Sequence, residues 1–252
     1  MAAQEHIRYI ARLGDDAVVL GQRLSEWCGH GPILEEDIAL TNLSLDYIGQ
    51  ARALYTHAGA LEAQGHGEDH FAYFRDEVAF ENHLMVELPK GDFGFTVMRQ
   101  FLFATFAYLR MEALAGQTTD PELAAIAAKS VKELRYHVEH ARDWVVRLGD
   151  GTAESRDRLS RSLQQLWPFT GELFTPDAVD AWAENAGLAP DLAHLQAQWN
   201  EVVTAALTEA TLDRPEDGWM QSGGKAGRHS EHMGYLLAEM QSLARKHPGV
   251  TW

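Results

Sequence analysis

Apolar residues recurring every three or four positions, over segments of about 22 to 30 residues, leave this chain few folds to choose from. Leu13, Ala17, Leu20, Leu24 and Trp27 share one helix face, and Cys28-Gly29-His30-Gly31-Pro32 ends that helix. A second helix is predicted from about Ile33 to Leu61, striped by Leu43, Tyr47, Ala51, Leu54 and Ala58, before the break at Gln64-Gly65-His66-Gly67. A shorter helix is predicted over about 70–87, closed by Pro89-Lys90-Gly91. Asp92 can cap the next, about 93–115, which is apolar on nearly all sides and therefore central. Asp120-Pro121-Glu122 joins an N-cap, a first-turn proline and an acid at the positive helix end, and opens a helix that runs to Leu148. Further helices are expected at about 153–166, 176–185 and 191–212. A glycine-rich loop of about 213–228 follows, then a last helix of about 229–246. No alternating strand pattern and no linker between two cores is visible. The expectation is an all-α chain: one domain over 1–252, with a four-helix bundle at about 10–150 and additional helices packed outside it at about 152–247.

Composition narrows the partners. The 252 residues are 46% hydrophobic, enough to bury a core without staples. Lys and Arg number 21 against 37 Asp and Glu, giving a net charge of −16, which repels phosphate backbones and anionic membranes. Neither nucleic acid nor membrane is expected as a partner. The most apolar run, Phe101 to Leu109, is too short to span a bilayer. With one cysteine, Cys28, and no signal-peptide pattern, a cytoplasmic location is expected. Cys28 itself is read as a small buried residue.

A bundle of long helices can hold a di-iron or di-manganese centre when two helices each supply an acid and two others each supply Glu-x-x-His. None of the twelve histidines has a glutamate three residues before it. Asp191-x-x-His194 reads as a helix cap followed by a solvated histidine. Glu26/His30, Glu62/His66 and Glu133/His137 are spaced by four, and only the last pair lies in mid-helix. The partner level of the neighbouring helix reads Leu102-Phe103-Ala104-Thr105-Phe106, without a carboxylate. Asp46 is followed one turn later by Gly49, which cannot ligate, and the nearest acids on the first helix are Asp15 and Asp16. Asp46, Glu133 and His137 are thus vestigial candidates at most, and no metal and no catalytic residue is expected in this chain. As buried acids Asp46 and Glu133 would need hydrogen bonds or basic partners, and Arg23, Arg52, Arg99 and Arg135 lie on neighbouring stretches. Gly223-Gly224-Lys225-Ala226-Gly227-Arg228 is read as a flexible loop, with Lys225 and Arg228 as candidate contacts to an anion or a partner. His229-Ser230-Glu231-His232 reads as a capped helix start.

Several of these segments fit one family pattern. Leu24-Ser25-Glu26-Trp27-Cys28-Gly29-His30, Leu45-Asp46-Tyr47-Ile48-Gly49-Gln50-Ala51-Arg52, Lys132-Glu133-Leu134-Arg135-Tyr136-His137, the glycine-rich stretch running into His232-Met233-Gly234, and Pro248-Gly249 near Trp252 resemble the PaaC family. These are the C subunits of the multicomponent phenylacetyl-CoA epoxidase, or ring-1,2-phenylacetyl-CoA monooxygenase. The resemblance implies a ferritin-like fold and a non-catalytic structural subunit in aerobic phenylacetate catabolism. It implies pairing with a di-iron catalytic oxygenase subunit, alongside the other epoxidase subunits and a reductase carrying NADPH-derived electrons through FAD and iron–sulfur. This chain would then hold no cofactor, contact coenzyme A or a partner through Lys225 and Arg228 if at all, and form a homodimer when isolated. The rival reading is an active di-metal carboxylate oxygenase built on Asp46, Glu133 and His137.

Overall fold

A computed structural model describes residues 2–250, so Trp252 of the C-terminal motif lies outside the described residues. The described residues are all helix, turn or coil, with no strand among them. They divide into two compact units, Met1–Pro89 with Gly223–Trp252, and Lys90–Ser222.

The first unit is built on a hairpin of two long helices, α1 (Ala2–Ser25) and α2 (Leu34–Glu62). Ile10, Leu13, Leu20 and Leu24 of α1 and Leu40, Leu43, Tyr47 and Leu54 of α2 are almost wholly buried. Glycines set how closely the two helices approach. A Cβ on Gly14 would sit 2.5 Å from the Tyr55 ring, and the Ser44 hydroxyl donates to the Gly21 carbonyl at 2.8 Å. The turn between them points Trp27 inward and Cys28 outward, held by Trp27 N–H to Leu24 and His30 N–H to Trp27. Cys28 is therefore exposed, correcting the buried reading.

Beyond α2 the helix expected over 70–87 is absent as one element. The chain makes α3 (Glu68–Tyr73), a single 3₁₀ turn at Glu77–Ala79, and α4 (Leu84–Glu87). The interruption has a tertiary cause: backbone N–H groups of Glu81 and His83 donate to carboxylates on α1, at 2.9 Å each, and cannot serve a helix as well.

The second unit repeats the hairpin with α5 (Phe93–Gln117) and α6 (Pro121–Gly149). Asp92 caps α5 by accepting from Phe95 N–H, and Asp120 caps α6 by accepting from Glu122 and Leu123 N–H, as the sequence implied. Then come α7 (Ala153–Leu166), two 3₁₀ turns at 167–174, α8 (Ala178–Asn185) and α9 (Leu192–Glu209). Asp177 and Asp180 form a full capping box on α8. The all-round apolarity of α5 follows from these covers. On one side lies α6, and on another Trp199 of α9, whose indole N–H donates to the Leu102 carbonyl at 2.9 Å. Phe174 packs edge-on against Phe106, with centroids 5.4 Å apart. The chain then returns to the first unit as α10 (Glu231–Lys246), capped by Ser230.

Candidate functional site

Asp15 and Asp16 on α1 are completely buried or nearly so, and both are fully engaged. Asp15 accepts from the Tyr55 hydroxyl at 2.6 Å, from the Glu81 N–H at 2.9 Å and from the Arg75 guanidinium. That guanidinium stacks over the rings of Tyr55, Phe71 and Phe80, 4.3 Å from the Phe80 centroid. Burial opposes the Arg75 charge, but Asp15 and Tyr55 more than offset it, so its pKa rises. Burial and the neighbouring Asp15 carboxylate push the Tyr55 hydroxyl well above its usual range. Asp16 accepts from the His83 N–H at 2.9 Å and faces His83 Nδ1 at 2.9 Å. Both acids thus fasten the 75–83 segment onto α1.

A second buried acid fastens the C-terminal segment. Glu87 of α4 is inaccessible to solvent. Its Oε1 accepts from Asn82 Nδ2 at 3.2 Å and faces His229 Nδ1 at 2.7 Å, and its Oε2 accepts from the N–H and hydroxyl of Ser230 at 2.8 and 2.7 Å. The other His229 nitrogen faces the Phe80 carbonyl at 3.0 Å. With acceptors on both sides, both ring nitrogens carry protons, and His229 is an imidazolium paired with the Glu87 carboxylate. Burial pulls its pKa down, but the hydrogen bond and charge of Glu87, with the Phe80 carbonyl, raise it overall. The histidine expected only to lead a capped helix start is also this latch.

The glycine-rich segment is a packed seam. Gly223, Gly224 and Lys225 are buried, and Arg12 Nη2 donates to the Lys225 carbonyl at 3.0 Å. A Cβ on Gly224 would lie 2.1 Å from the Asn82 carbonyl oxygen, and one on Gly227 2.4 Å from that of Val78. Gly223 and Gly227 also have positive φ, 139° and 69°. Gly224→Ala should therefore cost about 1–3 kcal/mol through backbone overpacking, read as a lowered denaturant midpoint. Lys225 and Arg228 do not form one exposed pair, because Lys225 is buried and Arg228 faces solvent.

The remaining candidates are divided between the two units. Asp46 belongs to the first unit and is half-buried; Glu133 and His137 belong to the second. Glu133 is half-buried with its carboxylate 3.9 Å from Lys129 Nζ, whereas His137 is wholly buried. Arg52, considered as a partner for these acids, pairs with Glu68 at 2.7 Å, and Arg23 pairs with Glu26 at 2.6 Å. Asp191 caps α9 through Ala193 N–H, and Glu62 faces His66 Nδ1 at 2.7 Å. A di-metal centre needs acid and imidazole ligands converging from the long helices. On α1 both buried acids are committed to the 75–83 segment. On α5 the fully buried Ala104 stands at the expected level, and the helix's single acid, Glu112, is exposed and accepts from Tyr108 at 2.6 Å. A cleft of about 600 Å³ in the first unit is lined by Arg8, Arg12 and Arg75 with Asp15, Glu62 and Glu81, but its charges largely face one another.

Comparison with known proteins places these features. The phenylacetic acid catabolic protein family matches residues 1–252. The chain belongs to this family. It is 45% identical over 244 residues to the C subunit of the 1,2-phenylacetyl-CoA epoxidase of Escherichia coli (strain K12), covering 97% of this chain and 98% of that protein. The likeness to the C subunit, expected from the motifs around Trp27, Asp46, Glu133 and His232, thus extends over 97% of the chain. No helix among the described residues is long and apolar enough to cross a membrane.

Proposed function

We propose that this chain is the structural C subunit of a multicomponent phenylacetyl-CoA ring 1,2-epoxidase, acting in aerobic phenylacetate catabolism and carrying no active site of its own. One observation supports this above the others: Asp15 and Asp16, the acids nearest the ligand level on α1, are spent on holding the 75–83 segment. The di-iron centre belongs to a catalytic partner subunit, and NADPH, FAD and iron–sulfur to the reductase. This chain contributes a rigid helical frame and interface area. Its cytoplasmic location, and a single ferritin-like domain over residues 1–252, belong to the same proposal. Arg228, exposed at the end of the glycine seam, is the residue of the Lys225/Arg228 pair offered to an anionic group of a partner or of coenzyme A.

The test is reconstitution with the catalytic subunit. Glu133→Ala should lose about 0.5 kcal/mol of helix-pair energy and leave turnover per assembled complex unchanged. Normal assembly with turnover abolished would instead favour the di-metal reading built on Asp46, Glu133 and His137.

A further inference from the structure

We propose that the outward face of α2 between Leu34 and Gly49 receives an apolar helix edged with Lys or Arg, supplied by the subunit that pairs with this chain; this rests on the structural-subunit reading above. Along α2, Leu34, Ile38 and Leu45 fall at i, i+4 and i+11, one side of the helix. They are 73%, 53% and 60% exposed. The opposite side of the same helix is already filled against α1 by Leu40, Leu43, Tyr47 and Leu54. A helix apolar on both sides is one that is covered on both sides when the protein works. Isolated exposed leucines need no explanation, but an aligned row on a helix that already has its core does.

Gly49 adds an independent sign. Half-buried, it lies on the same side one turn beyond Leu45, in the interior of a 29-residue helix where glycine is unfavourable. Nothing among the described residues comes within 4 Å of the Cβ it lacks, unlike Gly14, Gly21 and Gly59, each of which is crowded by a neighbour. The chain's own packing gives no reason for glycine there. A helix crossing at that point from another molecule does, because it could approach the bare backbone.

Charge selects the occupant. Glu35, Asp37 and Asp46 flank the apolar row, and the cation at its far end, Arg52, is paired with Glu68. A second copy of this chain would set these acids against their equivalents, in a molecule already at −16. A basic-edged partner would complement them.

The experiment uses the complex of this chain with the catalytic subunit. Hydrogen exchange over residues 34–49 should slow in the complex relative to the free chain. The double variant Ile38→Asp/Leu45→Asp should weaken the complex by about tenfold or more. Because both side chains are more than half exposed in the free chain, its thermal midpoint should fall only slightly, through the weaker helix propensity of Asp and the apolar area that is lost. Gly49→Leu should also weaken the complex, and wild-type affinity should drop as salt is raised. A complex that forms with unchanged affinity in the double variant, or without protection of 34–49, overturns the docking face while leaving the subunit assignment intact. So does an isolated chain that dimerises through Ile38 and Leu45, which would make the occupant a second copy. If the wild-type chain forms no complex at all with the catalytic subunit, the subunit reading itself fails.

Discussion

Glu87→Ala should release the C-terminal segment of the first unit and cost about 3–5 kcal/mol, the usual loss when one member of a buried ion pair is removed. The carboxylate answers four donors at once: Asn82 Nδ2, the His229 ring, and the Ser230 N–H and hydroxyl. Without it a buried imidazolium and the start of α10 lose their acceptor, and solvent does not reach the site to replace it, since both side chains are fully inaccessible. Denaturant unfolding should show a shifted midpoint, and amide exchange should accelerate first along α10. The same pair predicts a pH dependence. The folded pKa of His229 is raised, so its stabilisation is complete at and below about pH 6.5, where an unfolded-chain histidine also begins to bind its proton. The contribution then falls away as pH climbs through the raised folded value. Protection along α10, exchange corrected for its intrinsic base catalysis, should fall on the alkaline side, and in His229→Gln that fall should vanish.

Asp15→Ala should be comparably severe, again about 3–5 kcal/mol, because it strands the Arg75 guanidinium against three aromatic rings and removes the acceptor of Tyr55 and of the Glu81 N–H. Asp15→Asn keeps the volume and one carbonyl acceptor and should lose less. Tyr55→Phe removes the hydroxyl's bond to Asp15 and the one it accepts from Arg75 Nη2, and should cost about 1.5–3 kcal/mol. These effects are not additive, since all three groups share one network. The combined Asp15→Asn/Tyr55→Phe variant should therefore fall short of the sum, measured by chemical denaturation.

The long helices were legible because their ends are written locally. Asp120-Pro121 and Asp92 name their own positions, and the observed caps are those side chains. The acid-poor level of α5 around Ala104 was readable for the same reason: it needs only the order of residues along one helix. What could not be read was decided by distant partners. The segment expected as a helix over 70–87 carries plausible spacing, but its backbone is diverted by carboxylates more than sixty residues earlier. Glu87 and His229 are 142 positions apart, and neither carries a local signature of the other. The glycines at 223, 224 and 227 signalled an irregular segment correctly. The reason for Gly224 and Gly227, contact with the backbone of residues 78–84, is tertiary and gave a buried seam in place of a flexible loop. Cys28 depended on which way one turn faces.

The most direct test of the structural-subunit account is iron per chain after anaerobic loading, measured on this chain alone and on its purified complex with the catalytic subunit. The account predicts essentially no iron on the isolated chain, all bound iron on the partner, and turnover only when both chains are present. About two irons on the isolated chain, the load of a di-iron bundle, would contradict it and make this chain an oxygenase in its own right.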